Sequence, residues 1–399
     1  MPLLEDVRVL DLTNVLAGPF CCYQLAQLGA DVIKVEVPNA GDLARQLGAD
    51  GELNKQLMGA SFLAQNAGKR SMTINLKNGD GKEVFRRLVA TADVVVENFR
   101  PGVMDRLGLG YQALNAIKPN LIYCAISGFG QSGPLKDNPA YDQIVQGLSG
   151  VMSVTGDKNS APLRVGFPVA DTIGGITAAF AIAAALFRRQ RTNEGESIDV
   201  SMLEATIATM AWAVSNWLIA GVKPEPLGNE NMTASPSGTF RTGSGLLNIA
   251  ANQQRQFEKL CELIGRKELA ADPRFANRDD RKRRRYELNA TIEQALTAVS
   301  AREWAELLNR HDVPAGEVLS IPQALAQPQI SERGAIKTFP APPGVAREVA
   351  VVRAGFRLAS GDPAPLTPPP TLGADTEPIL TELGYDDAAI ARLKSAGAV

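Results

Sequence analysis

Asp171 is the residue whose type and setting most clearly invite chemistry. It lies in FPVADTIGGITAAFAIAAALF, an apolar run where an ionised carboxylate is costly unless it is hydrogen-bonded or used. A carboxylate there can be a nucleophile or the N-cap of the helix that follows, and one residue can be both. Asn98 and Phe99 directly follow the strand-like run Asp93–Glu97. An amide and a ring at the end of a strand can bracket a planar ligand group, or Asn98 can cap the next helix. Arg106, one or two turns farther on, can meet a phosphate. The loops Asn14–Pro19 and Gly128–Pro134 also follow strand-like runs. The first offers helix-start amides to a phosphate, or simply turns the chain; the second suits a site rim or any surface loop. The first is not GxGxxG, so the dinucleotide fingerprint of a dehydrogenase fails at the loop that opens the first helix.

His311 is the only histidine among 399 residues. That excludes a multi-histidine zinc site and argues against a histidine-based hydrolytic triad. Cys21, Cys22, Cys124 and Cys261 lack paired metal-ligand spacing and read as reduced, buried thiols of a cytoplasmic protein, so no metal is expected. With 41 basic and 43 acidic residues the net charge is −2, and no global field favours nucleic acid. The basic run Arg281–Arg285 has acidic neighbours Asp279, Asp280 and Glu287 and reads as a solvated helix start. The N-terminus lacks a secretory pattern, and Val165–Phe187 is interrupted by Pro168, Asp171 and glycines, so no membrane partner is expected.

These residues need a scaffold. Val7–Leu12, Asp31–Val37, Ser71–Leu76, Asp93–Glu97, Leu121–Ser127 and Glu196–Ser201 read as strands. Helical periodicity separates them over Phe20–Leu28, Gly79–Ala90, Arg106–Asn115 and Gly175–Arg189. This alternation predicts an α/β fold with a doubly wound parallel sheet. Met202–Ala220 reads as one apolar helix, and Gly221–Gly238 as the departure from the first domain. A hairpin over Phe240–Ala250 and helices over Gln254–Leu263, Arg283–Ala298 and Ala301–Leu308 predict a smaller α+β domain. Strand character at Val345–Phe356, a Pro-rich arm over Ala364–Thr371 and two short terminal helices complete the chain. The expected division is 1–220, 221–330 and 331–399, the last part returning to the first domain.

The segments VLDLTNVLAGPF, LGADVIKVE, NAGKRSMTINL, DVVVENFRPG, SGFGQSGP, YDQIVQGLSG and VADTIGG, in this order, resemble the class III coenzyme A transferases. The resemblance implies a Rossmann-like large domain and a small domain in an open-ring subunit, two of which interlock as a homodimer. It implies that CoA moves from an acyl-CoA donor, such as succinyl-CoA, to a small carboxylic or dicarboxylic acid, with no tightly bound cofactor. It places the nucleophile at Asp171, forming an aspartyl anhydride and an aspartyl-CoA thioester. CoA-contact positions carried over are Val15, Leu16, Ala17, Asn98, Phe99, Arg106 and Tyr141, with Lys69 and Arg70 as candidates for its phosphates. Pro139 stands where the formyl-CoA:oxalate member has lysine, and RTGSGLLNIAANQQ is poorer in glycine than that member's lid. The amides of Asn252, Gln253 and Gln254 can still receive a substrate carboxylate. The alternative is an α-methylacyl-CoA racemase, whose resemblance requires histidine where Tyr141 stands. A phenol of ordinary pKa near 10 is a poor base at neutral pH. A non-catalytic CoA-binding protein would be expected to lack Asp171.

Overall fold

Six short runs, most of them rich in valine and isoleucine, pair in parallel: β1 (Arg8–Asp11), β2 (Asp31–Glu36), β3 (Lys69–Thr73), β4 (Val94–Glu97), β5 (Ile122–Ser127) and β6 (Glu196–Ser201). The computed structural model describes residues 2–399. Every residue of β4 and β5 is buried, as strands covered by helices on both faces must be. The spatial order is β3-β2-β1-β4-β5-β6, the doubly wound order in which winding reverses between β1 and β4.

One face of the sheet packs Leu10, Ile33, Met72 and Val95 against Val84, Phe85 and Leu88 of helix Gly79–Thr91. Ile379, Leu380, Ile390 and Leu393 of the terminal helices Thr376–Glu382 and Asp387–Ser395 join the same core. The other face packs Val9, Val32, Val96 and Cys124 against helices Ala17–Gln27 and Val169–Thr192. Edge strand β3 is covered by the returning chain. Ser71 N–H donates to the Asp375 carboxylate at 2.8 Å, and Asp375 N–H returns a bond to Ser71 O at 2.9 Å. Capping the edge this way removes a template for strand addition.

The chain divides into two compact units. One comprises the residues up to Val151, Arg164–Ala220 and Gln329–Val399; the other comprises Met152–Leu163 and Gly221–Pro328. The second is an antiparallel sheet of β7 (Ser237–Arg241), β8 (Leu246–Ala250) and β9 (Ala315–Glu317). Its core joins Phe240, Leu247 and Ile249 to Phe257, Leu288, Ile292 and Trp304. In the first unit, β10 (Ile336–Phe339) and β11 (Val349–Val352) form an antiparallel pair, of which sequence periodicity indicated only the second strand.

Several local expectations are corrected. The helix expected over Arg106–Asn115 is two, Val103–Leu107 and Tyr111–Ile117, because Gly108 (φ 73°) ends the first in a left-handed turn. The apolar helix over Met202–Ala220 breaks near Ala211, at φ 38°. Helix Asp142–Ser149 was not anticipated at all. The Arg281–Arg285 run is not simply solvated. Arg281 is 1% exposed, donating to Ser235 O, Phe275 O and Gln254 Oε1 and stacking on Phe257, while Arg285 is also buried.

Candidate active site

The reversal of winding leaves a crevice at the C-terminal ends of β1 and β4, where doubly wound sheets bind ligands. Asn98, just beyond β4, bridges it. Its side-chain oxygen accepts from Asn14 N–H and its Nδ2 donates to Asn14 O, both at 2.8 Å. The first loop and the Asn98–Phe99 turn are therefore clamped together, and Val15, Leu16, Ala17, Asn98 and Phe99 share one end of the sheet. Glu97 fixes the turn from below, accepting from Phe99 N–H at 2.7 Å and from the Tyr123 hydroxyl at 3.1 Å. Burial pushes its pKa up to about 7 against these two bonds.

Val15 adopts φ 69°, a left-handed conformation that is costly for a β-branched residue and persists only where its surroundings enforce it. Asp42 accepts from Val15 N–H at 2.9 Å, and Gln65 Nε2 donates to Val15 O at 3.2 Å. Gly18 lets the helix start close on the strand end, since a Cβ there would stand 2.3 Å from Thr13. Beneath the loop lies a buried, charge-balanced network. Lys34 meets Asp42 at 2.9 Å, Lys69 meets Asp11 at 2.8 Å, and Arg45 meets Glu36 at 2.7 Å. Burial alone would push Lys34 down, but Asp11, Asp42 and Glu36 together raise its pKa; Asp11 is held low against burial by Lys34 and Lys69.

Beside the crevice a cavity of about 400 Å³ is walled by Leu12, Val35, Ile74, Leu76, Phe99 and Leu107, with Lys77 at its border. Arg106 is exposed on helix Val103–Leu107, next to Gly102. Lys77 escaped sequence reasoning because an exposed lysine after a strand carries no local signal. Only the fold sets it across from Phe99.

Asp171 occupies the first turn of helix Val169–Thr192, which the sequence placed from Gly175 onward. One turn later, Gly175 lets this helix approach Ala17 so closely that a Cβ would lie 2.5 Å from Ala17 O. That approach brings the Asp171 turn beside the start of the first helix. Asp171 is not the cap. Asp142 takes that role, accepting from Ala170 N–H at 2.9 Å while Gln146 Nε2 at 2.7 Å and Arg164 Nη2 at 3.2 Å hold its other oxygen. Burial, and then the Asp142 charge, push the Asp171 pKa up to about 7, with Arg164 opposing. The carboxylate is thus left free of capping and poised to ionise near neutrality. Tyr141, before Asp142, is 71% exposed.

Two anticipated residues lie elsewhere. Lys69 is buried and gives its ammonium to Asp11 and, at 2.9 Å, to Pro19 O, so it holds up the first helix and has no face for a phosphate. Arg70 points to Glu382 and lies 3.6 Å from Asp31, a residue at the start of β2 and so at the opposite end of the sheet from the crevice. Burial of the long side chain disqualifies one, and strand direction the other. In the second unit, Gln254 is also committed, donating to Glu258 and accepting from Arg281, whereas Asn252 is exposed. His311 caps a helix end, its Nδ1 lying 2.9 Å from Leu307 O.

A doubly wound sheet with a clamped crevice, an apolar slot and an uncapped carboxylate is the arrangement of a ligand-binding α/β enzyme. Residues 4–376 match the model of CoA-transferase family III, and the chain belongs to that family. It is a CoA-transferase, acting between acyl-CoA and carboxylic acids. It is 39% identical to a succinate–glutarate CoA-transferase of Agrobacterium fabrum, over 96% of each chain. It is 34% identical to the human succinyl-CoA:glutarate CoA-transferase, over 99% of this chain and 90% of that one. The crystal structure of a CAIB/BAIF family protein from Brucella suis superposes with a TM-score of 0.84 at 36% identity, covering 96% of this chain and 99% of the other.

Proposed function

We propose that this enzyme moves CoA from succinyl-CoA, or another small acyl-CoA, to a small dicarboxylic acid, with Asp171 as the nucleophile. The observation that carries the reading is the half-buried Asp171 carboxylate, relieved of capping duty by Asp142 and set beside the first loop by Gly175. Asp171 attacks the thioester carbonyl and expels CoA thiolate, leaving an aspartyl–acyl anhydride. The thiolate then attacks the aspartyl carbonyl, releasing the donor acid and leaving an aspartyl-CoA thioester. The acceptor carboxylate attacks that thioester, forming a new anhydride and freeing the thiolate again. Attack of the thiolate on the acceptor carbonyl yields the product acyl-CoA and restores Asp171. The route needs no metal and no tightly bound cofactor. Tyr141 at the position where a racemase would need histidine supports transfer over proton exchange. A panel of free acids supplied with succinyl-CoA, each product thioester identified by mass, tests the reading. Rapid deuteration at the α-carbon of an α-methylacyl-CoA with no transfer to any acid would replace it with the racemase.

In this reading the adenine of CoA enters the slot beside Phe99, and its phosphates meet Arg106 and Lys77. Replacing Arg106 with alanine is expected to weaken CoA binding by about tenfold, the worth of one charge-assisted contact. Titration calorimetry against the Arg70→Ala protein checks this; greater loss from Arg70 would refute the path.

Helix Val169–Thr192 is the one described helix long and apolar enough to span a membrane, yet it carries Asp171 and packs one face into the core. Its other face leaves Phe180 75% exposed, with Ile176 and Phe187 also exposed, and helix Trp212–Ala220 leaves Ile219 85% exposed beside Trp212 and Leu218. Apolar surface on this scale marks an association face. We assign it to an interlocked homodimer of a cytoplasmic enzyme. Light scattering over a wide dilution range is expected to find a dimer throughout; a folded, active monomer of 42.5 kDa would contradict it.

A further inference from the structure

Arg164 lies seven residues before Asp171 and is anchored from behind. Gln146, completely buried, accepts from Val165 N–H at 2.9 Å and donates to Phe167 O at 3.4 Å, riveting the Arg164–Phe167 segment to helix Asp142–Ser149. The Asp142 carboxylate then joins two things: one oxygen holds Ala170 N–H, next to the nucleophile, and the other holds Arg164 Nη2. Only that nitrogen of the guanidinium is engaged. The side chain is 43% exposed, and its remaining donors are available. Its charge is felt at Asp171, where it opposes burial and Asp142.

We infer that Arg164 is the specificity-determining residue that receives the distal carboxylate of a dicarboxylic acyl group or acceptor while the proximal carbonyl reacts at Asp171. This rests on the reading of Asp171 as the nucleophile. A fixed guanidinium presents paired N–H donors that match a carboxylate, and a free dicarboxylate arm near the Asp142 and Asp171 charges needs such a cation. A monocarboxylic acid of the same chain length brings nothing for Arg164 to bind. A methyl-capped acid likewise offers no charge.

The experiment compares kcat/KM for glutarate, pentanoate and monomethyl glutarate as acceptors of CoA from succinyl-CoA and from butyryl-CoA. The wild-type enzyme is expected to favour glutarate over both uncharged-end acids. Measured on the pH plateau, so that any shift of the Asp171 pKa acts on all acids alike, the glutarate-to-pentanoate ratio with butyryl-CoA is expected to fall about 10- to 100-fold in Arg164→Gln. Arg164→Lys is expected to recover part of the glutarate preference. If Arg164 only positioned Asp142, all acids would suffer alike, and an unchanged glutarate-to-pentanoate ratio in Arg164→Gln overturns the inference. So does a wild-type enzyme indifferent to the methyl cap, a result that requires no variant to fold. Retained turnover in Asp171→Asn would instead sink the nucleophile reading, so the two failures are distinguishable.

Discussion

Replacing Asp171 with asparagine is expected to lower CoA transfer by about a thousandfold or more, the scale of loss when a covalent nucleophile is removed. Folding and CoA binding should survive, because Asp142, not Asp171, caps helix Val169–Thr192. Mass spectrometry of the wild-type protein quenched with succinyl-CoA should find CoA in thioester linkage to the Asp171 peptide, and none on the variant. The pH dependence has a definite sign. Only the ionised carboxylate attacks, and burial raises its pKa to about 7, so single-turnover rates should climb as pH rises through about 7 and then level. Removing the Arg164 charge takes away the influence that opposes burial and should move this limb to higher pH. A variant with comparable turnover would end the assignment.

Lys69→Met is expected to cost about 3–5 kcal/mol of stability, the penalty for leaving a buried partner uncompensated. Asp11 would keep a single cation, Lys34 at 3.9 Å, beside its bonds from Thr13, and Pro19 O would lose the ammonium donor. The neighbouring Arg70→Met removes a partly exposed pair with Glu382 and should cost less than about 1 kcal/mol. Thermal melts of both proteins make the comparison. If Lys69 instead served a phosphate of CoA, Lys69→Met would keep its melting temperature and lose CoA affinity.

The strand-helix alternation, the ends of β1 and β4, and Asp171 itself were legible in the chain because each rests on local information. Val94–Glu97 is apolar enough to be buried on both faces, and an acid in FPVADTIGG stands out against its own neighbours. The motif resemblance added the nucleophile role to that oddity. Helix Asp142–Ser149 was not legible: its apolar residues are few, and what secures it, Gln146 and the double-ended Asp142, binds partners about twenty to thirty residues away. Gly108 and the break near Ala211 were misread for a related reason, since apolar periodicity continues across a kink that the backbone makes.

By itself the sequence determined the alternation that builds a doubly wound sheet, the single histidine that excludes a multi-histidine metal site, and the carboxylate in an apolar helix start. Composition, period and motif are properties of a line of residues, and these conclusions need no more. The tertiary structure alone decided which charges are left open at the surface and which support the fold. Lys69 and Arg70 are adjacent cations in the same motif, yet alternation across β3 and the direction of the strands send one into the Asp11 network and the other to the far end of the sheet. Arg164 gains its place near Asp171 because Asp142 holds Arg164 and the Ala170 N–H at once, a juxtaposition made by long-range hydrogen bonds that no spacing along the chain encodes.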